Sequence, residues 1–179
     1  MKYLAIIAFI AISLSACNPA FVRKGLKEIK VERARLMENY DHFESLDSAQ
    51  VRGVYTSYFN KIDSINAYFN DQYYDDAWKL MTQFGQIKGS LKGYVKGVDR
   101  VSNAYVYSLQ QLADLERDLK AQLISKEQYH IYMKSEQNAN DKLIVESKMM
   151  VDNASRGIIN YNELSPSIDS LIIVFKAGL

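Results

Sequence analysis

The single cysteine of the chain, Cys17, is the residue whose type and setting best suit covalent chemistry. Ser15 and Ala16 come directly before it, so the backbone on its amino side carries small side chains that a peptidase can admit. A cysteine thiolate is also a strong nucleophile and can form a stable thioether. Since these 179 residues hold no second cysteine, an intrachain disulfide is excluded. Any covalent chemistry at Cys17 is therefore that of a single thiol.

The stretch before Cys17 has the layout of a secretory signal. Lys2 supplies a positive charge, and residues 3–12 form an apolar run that is shorter than the roughly 20 residues of a membrane span. Leu14-Ser15-Ala16-Cys17 resembles the lipobox of bacterial lipoproteins. That resemblance implies a diacylglyceryl group on the Cys17 sulfur, cleavage before it, and a fatty acyl chain such as palmitate on the new amine. Because two or more acyl chains anchor a protein stably, we expect a signal peptide at 1–16 and a lipidated anchor at 17–20.

The residue after the cysteine bears on the destination of the protein. In enteric lipoproteins an Asp at this place keeps the protein in the inner membrane, whereas this chain has Asn18. The acidic run that some lipoproteins use for surface export is also missing. The resemblance therefore implies an outer-membrane location facing the periplasm.

Composition restricts the function of the rest of the chain. Removal of residues 1–16 leaves 163 residues, about one domain, and takes the formal net charge from +1 to zero because Lys2 is lost. A neutral chain gives no support for nucleic-acid binding, which needs a clear basic surplus. The only two prolines are Pro19 and Pro166, which favours a largely helical chain between them.

Apolar residues at alternating steps of three and four predict an all-α fold for a single domain at 21–179. We expect an elongated, antiparallel, coiled-coil-like bundle of about four long helices plus a short C-terminal helix. The predicted bounds, in chain order, are Asn18 to about Leu46, a cap at Asp47-Ser48 to a break at Asn70-Asp71, Tyr73 to Ile124, a capping box at Ser125 to Gln128, and the short helix from Ser165-Pro166. The longest stripe comprises Phe84, Ile87, Leu91, Tyr94, Val98, Val101, Tyr105, Ser108, Leu112, Leu115 and Leu119.

The fourth helix carries the weakest pattern. Its inner face is predicted to comprise Tyr129, Tyr132, Met133, Leu143, Met150, Ala154, Tyr161 and Leu164. Between Ser135 and Lys142 only Ala139 is apolar, so the periodic signal almost disappears there. The final stretch regains an apolar face with Ile168, Leu171, Ile172 and Phe175.

Two interleaved series with a four-residue spacing lie within the third helix and form the candidate contact surface. They are Gly85, Gly89, Gly93 and Gly97, and Lys88, Lys92, Lys96 and Arg100. At about 100° per residue the glycines begin opposite the apolar stripe and drift toward its flank, so they lie outside the main seam. Three interpretations remain: close approach of a partner, a hinge in the long helix, or a solvated lysine face. A partner would be an acidic protein, a lipid headgroup or an envelope polymer.

The other polar groups give weaker signals. Glu127 and His130 have the spacing of a di-iron bundle ligand pair, but such sites need a second copy and two more carboxylates. His42 stands alone one turn after Glu38. The acidic pairs Asp75-Asp76 and Glu116/Asp118 suit solvated helix surfaces. We therefore predict no catalytic, metal or cofactor-binding residue.

Taken together, the sequence favours a non-enzymatic, lipid-anchored envelope protein that acts by binding or structural contact with an envelope protein or polymer. Two alternatives remain: a helical ligand-binding module with a tyrosine-lined pocket, and a metal-binding bundle. The long seams are compatible with packing inside one chain and with a homo-oligomer. They do not identify the partner.

Overall fold

The computed structural model describes residues 19–68 and 75–177. Four helical segments follow in chain order: α1 at Ala20–Glu44, α2 at Ser48–Tyr68, α3 at Asp75–Lys120 and α4 at Lys126–Ala177. These two stretches contain no strand, so the predicted all-α class is confirmed. The predicted signal, Cys17, the Asn18 cap and the Asn70-Asp71 break lie outside the described residues.

Both predicted caps are present. The Asp47 carboxylate accepts hydrogen bonds from the backbone N–H groups of Ala49, at 2.8 Å, and Gln50, at 3.3 Å, and so begins α2. At the start of α4 the Ser125 N–H donates to Gln128 Oε1 at 2.8 Å, and the Gln128 N–H donates to Ser125 Oγ at 3.2 Å. This reciprocal pair is a capping box, which satisfies two N–H groups that a helix start leaves without partners.

The predicted number of helices is wrong. Because α1 and α2 are separated only by Ser45 to Asp47, residues 20–68 form one bent helix of 49 residues, and the fold then has three helices. The predicted short C-terminal helix does not exist as a separate element, since α4 continues through Pro166.

Packing explains why α4 does not end at the proline. A proline inside a helix costs about 3 kcal/mol because it removes a backbone hydrogen bond and crowds the preceding turn. On both sides of Pro166 the buried row keeps the same helical phase, with Tyr161 before it and Ile168, Ile172 and Phe175 after it. Burying these side chains offsets the local cost.

The described residues fall into two compact units. Of the described residues, the first unit combines 19–38 with Val106–Asp141, and the second combines 39–68 and 75–105 with 142–177. The first unit therefore contains segments of α1, α3 and α4, and the second contains the end of α1, all of α2 and the remaining parts of α3 and α4.

Rows of buried side chains from these helices form the core of each unit. In α3 every member of the predicted stripe from Phe84 to Leu119 is buried, including Ser108. In α4 the prediction is partly wrong, because Tyr132 is 46% exposed and Asn140 and Ser147 are buried instead. The row is polar at these places, which is why the apolar periodicity disappears between Ser135 and Lys142.

Two glycines allow helices to come into close contact. In the first unit a Cβ on Gly25 would lie 2.6 Å from Leu119 Cδ2 and 2.9 Å from Tyr129 Cζ. In the second unit a Cβ on Gly157 would lie 2.8 Å from Leu91 Cδ2 and 3.0 Å from Ser90 Cβ. A larger residue at either position must displace the side chains that it meets on the neighbouring helix.

We predict that Gly157→Ala lowers the free energy of unfolding by about 1 kcal/mol, because overpacking costs about 1–3 kcal/mol and the gain in helix propensity returns about 1 kcal/mol. Gly53→Ala is the matched control, since no atom lies within 4 Å of its added Cβ. The control should stabilise the protein in the same urea titration. Equal stabilisation by both substitutions would contradict the close contact at Gly157.

Candidate functional site

The candidate contact surface lies on the outer side of α3, opposite the buried seam. We call Gly85, Lys88, Gly89, Lys92, Gly93, Lys96, Gly97 and Arg100 the glycine–lysine face. Gly85, Gly89 and Gly93 are exposed, and outside the backbone of their own helix no atom of the described residues lies within 4 Å of the place where a Cβ would be. Gly97 is half-buried, with Met150 Cε 3.0 Å from its would-be Cβ, as expected for a series that drifts toward the seam. The helix is unbroken from Asp75 to Lys120.

The four cations of this face differ in their contacts with the rest of the chain. Arg100 pairs with Glu146, and the Lys88 ammonium lies 5.4 Å from the centre of the Phe59 ring. Lys92 and Lys96 are exposed and form no ion pair or hydrogen bond with any residue in 19–68 or 75–177. Their charges are therefore not neutralised within the described part of the chain.

This face lowers the stability of the helix that carries it. A glycine inside a helix costs about 1 kcal/mol relative to alanine, so Gly85, Gly89 and Gly93 together cost about 3 kcal/mol. Like charges one turn apart, such as Lys92 and Lys96, add about 0.2–0.5 kcal/mol of repulsion. Unlike Gly25 and Gly157, the three exposed glycines make no close contact in return.

The residues considered as metal ligands do not form a site. Within residues 19–68 and 75–177 no group of three or more His, Cys, Asp or Glu side chains is arranged to hold a metal ion. Glu127 lies in the first turn of α4, where its own backbone N–H and the Ser125 side chain lower the pKa of its carboxyl. This is the environment of a helix-start acid.

A polar cleft that sequence reasoning missed lies in the first unit. It has a volume of about 790 Å³ and runs between α1 and α4. The α1 side presents Glu28, Glu32 and Arg35, and the α4 side includes His130 and Lys134. On each helix the lining residues recur at the three- and four-residue steps that define one face. No tyrosine lines this cleft, in contrast to the predicted tyrosine-lined pocket.

A cluster of polar side chains around the buried Glu32 contributes to the lining of the cleft. Glu32 is only 5% exposed, and its Oε1 accepts hydrogen bonds from Arg35 Nη2 at 2.7 Å and from Asn140 Nδ2 at 2.9 Å. Arg35 Nη1 also donates to Asp141 at 2.6 Å. Asn140 is fully buried, and its Oδ1 has no hydrogen-bond partner among the residues that the structure describes. Burying a polar group lowers the free energy of unfolding unless the group is paired, so the unpaired Asn140 Oδ1 destabilises the bundle.

The tyrosines mainly form the cores. In the second unit Tyr105 is fully buried, stacks on Tyr40 with ring centres 5.0 Å apart, and contacts Ser147 Oγ at 2.6 Å. Since the Ser147 hydroxyl donates its proton to the Ile144 carbonyl, Tyr105 is the donor to Ser147. In the first unit the buried Tyr129 hydroxyl lies 2.8 Å from Glu28 Oε2, to which it donates. Burial raises the pKa of Tyr105 and Tyr129.

A second cleft, of about 530 Å³, lies beside the bend between α1 and α2 in the second unit. Its floor includes the buried rings of Phe43 and Tyr94, and the Tyr94 hydroxyl donates to the Leu46 carbonyl at 3.0 Å. The carboxylates on its rim already have partners: Asp47 caps α2 and Asp99 pairs with Arg52. The Tyr94 hydroxyl therefore stabilises the bend between α1 and α2.

Comparison with protein-family models, curated proteins and solved structures gives no match to this chain. Among the described residues, no helix combines the length and apolar character needed to cross a bilayer.

We predict that stability falls steeply above about pH 10, the ordinary pKa of tyrosine. The pKa is raised for Tyr40, Tyr58, Tyr94, Tyr105 and Tyr129, by a hydrogen bond to Glu44 for Tyr40 and by burial for the others. Above pH 10 the unfolded chain therefore releases protons that the folded chain keeps. Each such tyrosine lowers the free energy of unfolding by up to about 1.4 kcal/mol per pH unit.

Urea titrations at about pH 9 and pH 11 measure this fall, with tyrosinate absorbance reporting ionisation. Tyr105→Phe should reduce the pH dependence. Tyr107→Phe, at a position 64% exposed, is the control and should leave it almost unchanged. Equal stability at the two pH values would contradict the prediction.

Proposed function

We propose that this chain is a lipid-anchored cell-envelope protein that acts through binding or structural contact with another envelope component and catalyses no reaction. The anchor is the lipidated Cys17, and the proposed location is the outer membrane, facing the periplasm. The partner binds the glycine–lysine face and is not a nucleic acid. The coiled-coil-like pairing of the helices and a homo-oligomeric state stay predictions.

The observation that carries this proposal is the open space above Gly85, Gly89 and Gly93. Three glycines in the interior of an unbroken helix lower its stability, and no close contact among the described residues requires them. The neighbouring Lys92 and Lys96 have no ion pair there. A cationic surface with small side chains that lowers the stability of the isolated chain is best explained by a partner that approaches it closely.

The lipobox-like sequence that ends in Cys17 supports the proposed anchor. Cys17 lies only three residues before the start of α1 at Ala20, so little chain separates the proposed lipid from the first helix. A chain tethered this way reaches components at or near the bilayer without a membrane-spanning helix.

The cleft of the first unit supports one alternative function, a helical module that binds a polar small ligand. Its volume of about 790 Å³ is within the range of ligand sites in proteins, and Glu32, Arg35 and Asp141 give it a polar lining. The contact function is preferred because Glu32, Arg35 and Asp141 in the cleft already bind one another. In contrast, Gly85, Gly89 and Gly93 make no close contact among the described residues, and Lys92 and Lys96 form no ion pair there. A metal-binding bundle finds no comparable support.

We predict that a photo-crosslinking residue in place of Lys92 forms adducts in the cells that make the protein, and that Cys17→Ser abolishes them. The serine oxygen cannot form the thioether, so the chain should lose its acyl label and leave the membrane fraction. Immunoblots of fractionated cells, with metabolic fatty-acid labelling, measure both effects.

The matched control places the same crosslinker at Lys148, an exposed lysine of α4. Adducts should be several times more abundant from position 92 than from position 148. A Cys17→Ser chain that stays labelled in the membrane fraction would refute the anchor, and equal adducts from both positions would refute the contact surface.

A further inference from the structure

The sole tryptophan of the chain lies on the same side of α3 as the glycine–lysine face. Trp78 is 53% exposed. At about 100° per residue, Trp78, Gly85, Gly89, Lys92 and Lys96 all lie within about 40° of one direction around the helix axis. This side of the helix therefore presents an indole ring at its amino end, followed by small residues and then by cations without ion pairs.

Each of these residue types suits the headgroup layer of a bilayer. Tryptophan is enriched where membrane meets water, because its ring is apolar and its N–H remains solvated. Lysines close to an anionic leaflet are attracted to the lipid phosphates. At positions 85, 89 and 93 glycine places no side chain between the helix backbone and the membrane surface. A headgroup layer would contact both the exposed part of the indole and the lysines, whereas an acidic helix would pair with the lysines.

We propose that the glycine–lysine face and Trp78 dock on the phosphate-bearing headgroup layer of an anionic phospholipid bilayer. The proposal rests on the proposed function and names the partner of that same face. Docking would be a second attachment, added to the lipid on Cys17, and it would hold α3 flat against the membrane.

The test uses the chain from residue 17 onward with Cys17→Ser, so that neither signal nor acyl chain contributes to binding. All the described helices are retained. Vesicles are made either of phosphatidylcholine alone or of equimolar phosphatidylcholine and phosphatidylglycerol. Because Trp78 is the only tryptophan, its fluorescence reports contact at this face directly. The emission should shift to shorter wavelength with the anionic vesicles alone, and the shift should be lost near 1 M salt, where the screening length falls to about 3 Å.

Two triple variants with equal net charge separate this face from general charge attraction. Lys88→Gln, Lys92→Gln and Lys96→Gln together should weaken vesicle binding about 100-fold, since each lysine near an anionic surface contributes roughly fivefold. Lys30→Gln, Lys142→Gln and Lys148→Gln, at exposed positions of α1 and α4, should weaken it by less than about fivefold. Circular dichroism of both variants checks that the helices are intact.

The proposal is overturned if both vesicle types bind equally, if the two triple variants lose equal affinity, or if binding leaves the Trp78 emission unchanged. These outcomes are distinct from failure of the proposed function. Should no vesicle bind while the crosslinker at position 92 captures an envelope protein or polymer, the contact function stands and the bilayer is the wrong partner.

Discussion

Burial of one row of side chains on α3 determines the orientation of that helix in both units. Because Phe84, Leu91, Tyr105, Leu112 and their neighbours in the row all face inward, the opposite side of the helix faces outward. That outward side carries the glycine–lysine face. A rotation of α3 that brought the glycines into a core would expose the aromatic and leucine side chains, at about 1.5–3 kcal/mol for each large one. The buried row of α3 therefore determines that the glycine–lysine face is exposed to a partner.

The glycines of this chain serve two different physical roles. Gly25 and Gly157 lie where a methyl group would collide with a neighbouring helix, so their cost in helix propensity is offset by close packing. Gly85, Gly89 and Gly93 have the same cost and open space around them. A residue that lowers stability without improving packing is most simply explained by an interaction outside the chain, as binding surfaces are often less stable than the rest of a fold.

Much of the fold could be predicted from the sequence, and the failures have identifiable causes. The seam of α3 and the caps at Asp47 and Ser125 depend on local spacing, which sequence patterns report well. The continuation of α4 through Pro166 depends on tertiary packing that overrides a local penalty. The buried Glu32 and Asn140 were missed because polar residues at core positions erase the apolar period. Of the candidate site, the outward position of the glycines followed from helical geometry, whereas the packing role of Gly157 depends on a contact between distant segments.

The central claim is that Gly85, Gly89 and Gly93 of the glycine–lysine face make no packing contact within the described residues, and the stability of one variant tests it most directly. In Gly85→Ala, Gly89→Ala and Gly93→Ala combined, three methyl groups enter open space while helix propensity rises. The account predicts that the free energy of unfolding, measured by urea titration with an unchanged slope, increases by about 2–3 kcal/mol. A decrease in that free energy would contradict it, because it would show that these glycines fill a close contact inside the protein.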